Sequence, residues 1–375
     1  MKTCNIFPGL IIMISLIFLI SFGLIYFIPT KDNQSINIPQ PIELEVNEWF
    51  QITDDRANQN NAVIYNDYII WQDDRNGNWD IYLFDLSNGK EQRITSEPHD
   101  QTNPRIFGEF IVWKDMRNNL GNPENFPVDF NSDIYLFDIK TGEEKQITNN
   151  EQFQFSPDIY NDKIIWLDYR SGRSEVYMYN LLTNQEMKIS NNLGNCTSCK
   201  MYENTIIWIA LINNSNNLFK YDIPSRHISK IDLKSPEEIN VYQFNNEYLV
   251  WSNAPKNDNN SDIFLYYLLE DKVVQITTND SCQYGPIIAN DSILWSDLRN
   301  DPDGRLRCPC KNDPDELIFD NWDIYKYDLS QQDYFAIQLT NSSDSEFLCD
   351  VFQNKLVFVK TSQNIKDIYV MRYST

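Results

Sequence analysis

Residues 69–95 read IIWQDDRNGNWDIYLFDLSNGKEQRIT, and shortened copies of this phrase recur along the chain. Each copy has an apolar run that ends in an aromatic residue, and the stronger copies continue with Asp-x-Arg, Asp-Ile-Tyr and Gln-Ile-Thr. The aromatic residues lie at Trp71, Trp113, Trp166, Trp208, Trp251, Trp295 and Phe358. A repeat of this kind indicates one supersecondary unit that buries its apolar surface by stacking on its neighbours.

The length of the repeat predicts what the unit is. Five consecutive intervals between the aromatic residues are 42 to 53 residues long. Each interval holds four short runs of β-branched and aromatic residues, separated by turn pairs such as Asn88-Gly89 and Thr141-Gly142. Four antiparallel strands, here called a to d in chain order with the aromatic residue on strand b, in about 40 to 50 residues are typical of one blade of a β-propeller. The sequence therefore predicts an all-β propeller.

The number of blades follows from an unpaired phrase at the start of the repeats. Residues 50–53 read FQIT, the phrase that ends a repeat, although no repeat precedes them. The last unit stops after DIYVMRY, residues 367–373, without a fourth strand. We therefore expect residues 49–54 to pair antiparallel with residues 367–373, which closes the ring and removes two exposed sheet edges. Six complete units and this shared one predict seven blades over residues 49–375.

The phrase WxDxRxGxxDIYxxDLxxGxExQIT resembles the repeats of TolB-like β-propellers, which occur in bacterial and archaeal cell-surface and envelope proteins. The resemblance covers about residues 50 to 373 and is strongest in blades 1, 2, 3 and 6. It implies a propeller fold, with a six-bladed ring as the alternative, and an envelope-exposed setting. TolB itself also has an N-terminal α/β domain, which this chain replaces with a short linker, so the role of TolB is not carried over.

The N-terminal region predicts a membrane anchor. Residues 9–29 form an uncharged apolar stretch of 21 residues, about 32 Å as a helix, which is long enough to cross a bilayer. Residues 1–8 would then be a short cytoplasmic segment, and residues 30–48 a linker to an external propeller. The alternative is a signal peptide that is cleaved to release a secreted protein.

Composition agrees with an external setting. The chain has 54 acidic and 31 basic residues, a net charge of −23, so nucleic acid is not an expected partner. Seven Asn-x-Ser/Thr sequons are candidate glycosylation sites, several of them in predicted turns. They are Asn33, Asn195, Asn213, Asn259, Asn279, Asn290 and Asn341.

Six of the seven cysteines lie in the predicted external region; Cys4 precedes the apolar stretch. The six are Cys196, Cys199, Cys282, Cys308, Cys310 and Cys349. An even number in an oxidising compartment favours disulfide bonds. A zinc site built from the CTSC and CPC pairs is the alternative.

The Asp and Arg of the repeated phrase are predicted to be structural. They are Asp73 and Arg75, Asp115 and Arg117, Asp168 and Arg170, and Asp297 and Arg299. Because a catalytic group occurs once per site, a pair that recurs in four blades is better explained as an ion pair that pins strand b to the next blade. The same argument applies to the acids that begin strand c, which are Asp80, Asp133, Asp262, Asp323 and Asp367.

Loop lengths predict the contact surface. From the aromatic residue to the start of strand c the distance is 9 residues in blades 1, 3 and 7, but 20 in blade 2 and 28 in blade 6. Variable loops on a rigid scaffold are typical binding positions, so residues 118–132 and 300–322 are the expected contact face. The longer insert also carries weak calcium candidates, Asp301, Asp303, Asp313 and Asp315, and no other cofactor is predicted.

Signals for catalysis are sparse. The two histidines, His99 and His227, lie in different blades, and the sequence has neither a GxSxG motif nor a glycine-rich phosphate loop. These observations favour a non-enzymatic, membrane-anchored propeller that binds a protein or glycan at the cell surface. The alternative is a carbohydrate-active enzyme, a lyase or a glycosidase, built on the propeller.

Overall fold

Each repeat forms one four-stranded antiparallel sheet, because its β-branched and aromatic runs follow one another along the chain and most of them are joined by short turns. The structure, a computed structural model, describes residues 40–119, 131–233, 238–254, 261–301, 321–330, 335–363 and 365–374. We call the strands of a blade a, b, c and d in order from the central channel outwards. In blades 1 to 6 this order is also the chain order.

Seven such sheets are present, so the prediction of an all-β, seven-bladed propeller is confirmed and the six-bladed alternative is excluded. Blades 1 to 3 comprise β2 (Gln59–Tyr65), β3 (Tyr68–Asp73), β4 (Asp80–Asp85), β5 (Lys90–Arg93), β6 (Gln101–Phe107), β7 (Phe110–Asp115), β8 (Asp133–Asp138), β9 (Glu143–Gln146), β10 (Gln154–Tyr160), β11 (Lys163–Asp168), β12 (Glu175–Asn180) and β13 (Gln185–Lys188). Blades 4 to 6 comprise β14 (Asn195–Tyr202), β15 (Thr205–Ile212), β16 (Ser215–Asp222), β17 (His227–Ile231), β18 (Glu238–Phe244), β19 (Tyr248–Ala254), β20 (Asp262–Tyr267), β21 (Lys272–Gln275), β22 (Gln283–Ala289), β23 (Ser292–Asp297), β24 (Asp323–Asp328) and β25 (Ile337–Gln338). Blade 7 comprises β26 (Ser345–Phe352), β27 (Lys355–Ser362), β28 (Ile365–Arg372) and, as its strand d, β1 (Trp49–Gln51).

The predicted closure of the ring is confirmed. β1 pairs antiparallel with β28, with Phe50 opposite Val370. The Thr53 hydroxyl accepts a hydrogen bond of 2.9 Å from the amide of Ile368. Thr95 of blade 1 makes the equivalent bond of 2.8 Å with Ile81. The pairing of β1 with β28 therefore reproduces the hydrogen bonding of an ordinary blade.

The core lies between adjacent blades. The aromatic residue of strand b is almost fully buried in all seven blades. It stacks on the aromatic residue directly opposite on strand c, as Trp71 does on Tyr82, with ring centroids 5.5 to 6.3 Å apart. Burial of these large side chains in every blade explains why the aromatic residue is the most regular part of the repeat.

Residues 41–48, which belong to the predicted linker, pack on the propeller. The amide of Ile42 donates to the carbonyl of Leu86 at 2.7 Å, and the amide of Asn47 donates to that of Arg372 at 2.7 Å. Ile42 and Leu44 also contact the apolar cluster between blades 7 and 1. Both carbonyls lie at strand c ends that face away from the b–c loops, so this segment runs along the opposite face.

The predicted membrane segment, residues 9–29, lies outside the described residues, as do residues 1–8 and 30–39. In the part of the chain that the structure describes, no helix has the length and apolarity that a membrane crossing requires.

Candidate functional site

The Asp-x-Arg pairs lie at the end of strand b and form one repeated cluster, the Trp-Asp-Arg staple. In blade 1 the buried Asp73 accepts a hydrogen bond of 3.0 Å from Trp71 Nε1 and one of 2.9 Å from Arg75 Nε. The Arg75 guanidinium lies 4.4 Å from the ring centre of Tyr82 on strand c and 2.8 Å from Glu91 on strand d. The Arg therefore joins strands b, c and d of its own blade. Arg75 also pairs at 3.0 Å with Asp55, in the segment that connects the closing strand to strand a of blade 1, so its contacts run to its own sheet and to the preceding connection rather than to the next blade.

The Asp–Arg ion pair and the contact of the arginine with the strand c tyrosine recur in blades 2, 3 and 6, and the contact with a strand d glutamate recurs in blades 2 and 3. The ion pairs join Arg117 to Asp115 at 2.7 Å, Arg170 to Asp168 at 2.6 Å and Arg299 to Asp297 at 2.6 Å. The acids that begin strand c have an equally repetitive role: Asp133 and Asp262, for example, accept hydrogen bonds from Thr148 and Thr277, two residues beyond strand d. Repetition in blade after blade supports structure rather than catalysis as the role of these groups.

Three of the four cysteines that the structure describes do not form the predicted disulfide bonds. Cys196, Cys199 and Cys349 are free thiols, which contradicts the disulfide prediction for these three. Burial raises the pKa of the Cys196 thiol to about 11 and that of Cys349 to about 12, so both thiols are protonated at neutral pH. Cys282 is fully buried and is not among the free thiols. Cys4, Cys308 and Cys310 lie outside the described residues.

Most of the predicted contact loops also lie outside the described residues, including residues 120–130 and 302–320. The calcium candidates Asp303, Asp313 and Asp315 fall there, and the backbone amide of Asp301 donates to the Leu298 carbonyl at 3.0 Å. Among the described residues no group of three His, Cys, Asp or Glu side chains could hold a metal ion.

The remaining predicted residues are at the surface. His99 and His227 are both exposed and lie in different blades. The sequons at Asn213, Asn279, Asn290 and Asn341 are exposed, Asn195 is half-buried, and Asn33 and Asn259 lie outside the described residues. Neither histidine contributes to a pocket described below.

The central channel holds a cavity of about 900 Å³. It is lined mainly by strand a of the blades, and extends from Asn60 near the b–c end of strand a to Tyr65 near the other end. Strand a carries a β-bulge, which in blade 1 places two residues, including Asn61 with a φ of 53°, between the pairs formed by Asn60 and Val63. Bulges redirect side chains, so this irregularity decides which residues face the channel.

One ring of channel residues is defined by register. Each member pairs with the residue that precedes the buried aromatic of strand b. From blade 1 to blade 7 the members are Val63, Arg105, Asp158, Lys200, Gln243, Ile287 and Asp350. All seven line the cavity, so four ionisable side chains face one enclosed space.

Two members of this ring, Asp350 and Lys200, have shifted pKa values. Burial raises the pKa of Asp350 to about 6, although hydrogen bonds from backbone amides and the charges of Arg105 and Lys200 oppose the rise. Burial also lowers the pKa of Lys200, and repulsion from Arg105 lowers it further. Shifted ionisable groups inside a cavity are typical of functional sites.

A second ring lies two residues further along strand a. In five consecutive blades its members are aromatic, and they are Phe352, Tyr65, Phe107, Tyr160 and Tyr202. Neighbouring ring centres are 4.4 to 5.2 Å apart. We call this set the aromatic belt. Blades 5 and 6 place Asn245 and Ala289 at the same position, so the belt covers one side of the channel.

Both rings were missed from the sequence, although a signal was present. The strand a hairpins read VIYND, RIFGE, DIYND, KMYEN, IIAND and DVFQN, and the third letter of most of them is the belt. The first letter of each hairpin is the member of the channel ring in that blade. Counting backwards from the hairpin turn, rather than forwards from the previous repeat, avoids the bulge and aligns both positions.

Comparisons with known proteins support the fold and no closer relationship. No protein-family model and no curated protein matches the sequence. Among solved structures, the β-propeller domain of the trilobed protease from Pyrococcus furiosus superposes with a TM-score of 0.60 at 11% identity, covering 85% of this chain and 94% of that one. Oligogalacturonate lyase from Vibrio parahaemolyticus gives a TM-score of 0.59 at 11% identity, covering 88% and 95%. An acylaminoacyl peptidase from Pyrococcus horikoshii gives 0.58 at 11% identity, covering 85% of this chain and 52% of that one.

These structures are enzymes or domains of enzymes, which contradicts the prediction that the chain is not an enzyme. That prediction rested on missing motifs, whereas structures similar to this chain occur in a lyase, a protease and a peptidase. At 11% identity the likeness shows the fold alone, and a propeller fold by itself does not prove activity. The chain thus has the fold of β-propeller proteins, and the TolB-like resemblance stays a prediction.

Proposed function

We propose that this protein is an extracytoplasmic propeller that takes the end of a glycan chain into its central cavity. The observation that carries the proposal is the aromatic belt, which gives one wall of the cavity five adjacent ring faces and edges. Sugar rings have apolar faces and polar edges, and the cavity offers both kinds of surface. Its polar lining includes the side-chain amides of Asn60, Gln72 and Gln243.

The size of the cavity supports a ligand of a few sugar residues. A volume of about 900 Å³ lies near the upper end of the usual range for small-molecule sites, about 300 to 1,000 Å³. The setting rests on residues 9–29, whose length and apolarity favour a membrane anchor. Residues 41–47 lie on the face opposite the b–c loops, an arrangement that agrees with a role for residues 118–132 and 300–322 as the outer contact face.

Filling the channel tests the proposal. The full chain, solubilised in detergent, would be screened on an array of glycans, and two variants would be compared with it. Gln243→Trp adds a large ring at the channel, whereas Gln92→Trp adds the same ring at the exposed strand d of blade 1. We expect Gln243→Trp to weaken binding of the captured glycans by more than about tenfold, and Gln92→Trp to leave it unchanged. Equal binding by both variants would place the glycan site outside the channel.

The second candidate function is carbohydrate cleavage in the same cavity, and the position of Asp350 favours it. With a pKa of about 6, this carboxyl is partly protonated near neutral pH, as a general acid requires. Its Oδ2 accepts a hydrogen bond of 3.0 Å from the amide of Ile64, which holds the carboxyl in place in the cavity, where its protonated form would donate to a departing sugar oxygen.

An assay for new reducing ends on a panel of polysaccharides tests this candidate. If Asp350 is the acid, Asp350→Asn should slow cleavage by about 100-fold or more while glycan binding remains. Asp344→Asn, on the loop before strand a of blade 7, is the control. The absence of cleavage across the panel would remove the candidate and leave the binding proposal in place.

A further inference from the structure

Two cations of the channel ring have no ionic partner among the residues that the structure describes. Arg105 and Lys200 both line the cavity and are half-buried. Within the described ranges neither forms an ion pair with an acidic group within 4.0 Å. Arg105 donates one hydrogen bond of 2.9 Å, from Nη1 to the carbonyl of Pro104.

The two carboxylates of the ring are held by the backbone instead. Asp158 accepts from the amide of Ile159 at 3.0 Å and from that of Met201, in the next blade, at 2.8 Å. Asp350 of blade 7 accepts from the amide of Ile64 in blade 1 at 3.0 Å. Each aspartate therefore joins its own blade to the next one, and this role fixes it in place.

Cations in such a cavity are costly unless something compensates them. Removing a charge from water without a partner is unfavourable, and two like charges facing one space repel each other. The register position itself does not require a cation, because Val63, Gln243 and Ile287 occupy it in other blades. Asp158 and Asp350 offset part of this cost across the cavity. Among the described residues neither aspartate forms an ion pair with Arg105 or Lys200, so both cations keep N–H donors for a ligand in the cavity.

We propose that Arg105 and Lys200 bind the carboxylate of an acidic sugar, seated beside the aromatic belt. This inference rests on the proposed glycan-binding function and names the class of glycan. A guanidinium matches a planar carboxylate with two parallel hydrogen bonds, and a lysine adds a third. Phe107 and Tyr202, two positions beyond the cations on the same strands, would contact the sugar ring.

The surrounding charges favour a carboxylate over a phosphate. Asp158 and Asp350 face the same cavity, so the ring as a whole is close to neutral when both are ionised. One added negative charge is tolerated, and it is tolerated better when Asp350 is protonated. A phosphate dianion would meet both carboxylates at short range, and its second charge adds to that repulsion, although Lys366 also lines the cavity and supplies a third cation.

Three sugars that differ only at C6 test the inference: glucuronate, glucose and glucose 6-phosphate. Their affinities for the full chain in detergent would be measured by isothermal titration calorimetry. We expect glucuronate to bind at least about tenfold more tightly than either of the others, as charge-assisted hydrogen bonds require. Arg105→Met and Lys200→Met should each remove the preference. Arg226→Met, on the exposed c–d turn of blade 4, should not.

The outcomes separate this inference from the proposed function. If glucuronate and glucose bind equally, and Gln243→Trp blocks both, the cavity binds sugars but the carboxylate assignment is wrong. Preferential binding of glucose 6-phosphate would replace the carboxylate with a phosphate and overturn it as well. If none of the three binds, the inference also fails, and the array result with Gln243→Trp decides the proposed function independently.

Discussion

Blades 1 to 3 and the closing blade 7 hold their strands together at the same place by different chemistry. In blade 1, Arg75 pairs with Asp73, lies over Tyr82 and reaches Glu91 on strand d. In blade 7 the cation is Lys360, which stands where Asp73 stands in blade 1, opposite the first residues of strand a. It lies 4.6 Å from the ring centre of Trp49 and 6.0 Å from that of Tyr369.

The positions of the acidic groups are exchanged as well. Glu346 begins strand a of blade 7, where blade 1 has Gln59, and its carboxylate is 3.9 Å from Lys360 Nζ. Strand d supplies Trp49 where blade 1 supplies Glu91. The comparison teaches that the staple depends on a cation placed between an acid and aromatic rings, and that the order of these groups along the chain is free to change.

Removing the closing strand of blade 7 should have the largest effect on folding. Deletion of residues 49–53 exposes the edges of β28 and of the neighbouring blades, so we expect aggregation and no folded monomer. Size-exclusion chromatography and circular dichroism would show this directly. Residues 40–53 moved to a flexible linker after Thr375 should restore the monomer, because the strand then reaches the same edge. A folded monomer formed by the deletion variant alone would mean that the ring does not depend on β1.

Breaking the Trp-Asp-Arg staple of one blade should lower the free energy of unfolding by less than removal of the closing strand does. In blade 2, Asp115→Ala removes the acceptor of the Trp113 ring nitrogen, at 2.8 Å, and the buried carboxylate of Arg117, which keeps only the half-exposed Glu144 at 2.7 Å. Loss of one partner of a buried ion pair typically costs about 3 to 5 kcal/mol of unfolding free energy. Urea unfolding would measure it against Glu143→Ala, an exposed change on strand d of the same blade. A loss no larger than that of the control would show that the staple contributes little to stability.

Because of Glu346, the stability of blade 7 should depend on pH. Burial raises the pKa of Glu346 to about 7, while Ser342 and Lys360 oppose the rise. The folded state therefore binds this proton more tightly than the unfolded chain, so stability is full below about pH 4.5 and falls as the pH rises towards 7. Glu346→Gln, which copies Gln59 of blade 1, should match the natural protein at pH 4.5 and exceed it above pH 7, by up to about 3 kcal/mol. Parallel pH profiles of the two proteins would contradict the assignment.

The cation of blade 7 should have the smallest effect. Lys360→Met keeps most of the packing against Trp49 but removes the cation–π contact, which is worth about 1 kcal/mol at a partly exposed site. It also removes a partly exposed ion pair with Asp344 at 3.2 Å, worth about 0 to 1 kcal/mol. The measurement belongs at pH 5, where Glu346 is mostly protonated and its ion pair with Lys360 does not contribute. Lys90→Met, at an exposed position of strand d in blade 1, is the control. A loss equal to that of Asp115→Ala would mean that the two staples are equivalent after all.

The parts of the fold that repeat were predictable, because repetition gives several independent views of one position. The unpaired FQIT phrase was enough to predict the closure, since Thr53 had a counterpart in Thr95. The direction of Arg75 was not predictable, because sequence spacing does not show that Tyr82 lies directly opposite Trp71. The channel ring was missed for the opposite reason. Arg105, Asp158 and Lys200 differ from blade to blade, so no repeated phrase marks them.

The contacts of residues 41–47 set the order in which a pull on the N-terminal chain would act. Tension that arrives from the N-terminal side reaches the hydrogen bond of Ile42 with Leu86 first, then that of Asn47 with Arg372, and only afterwards the three residue pairs of β1. The first two hydrogen bonds must therefore break before the load reaches the pairing of β1 with β28 that closes the ring. A load on the N-terminal segment would release residues 41–47 from the surface before it separated β1 from β28.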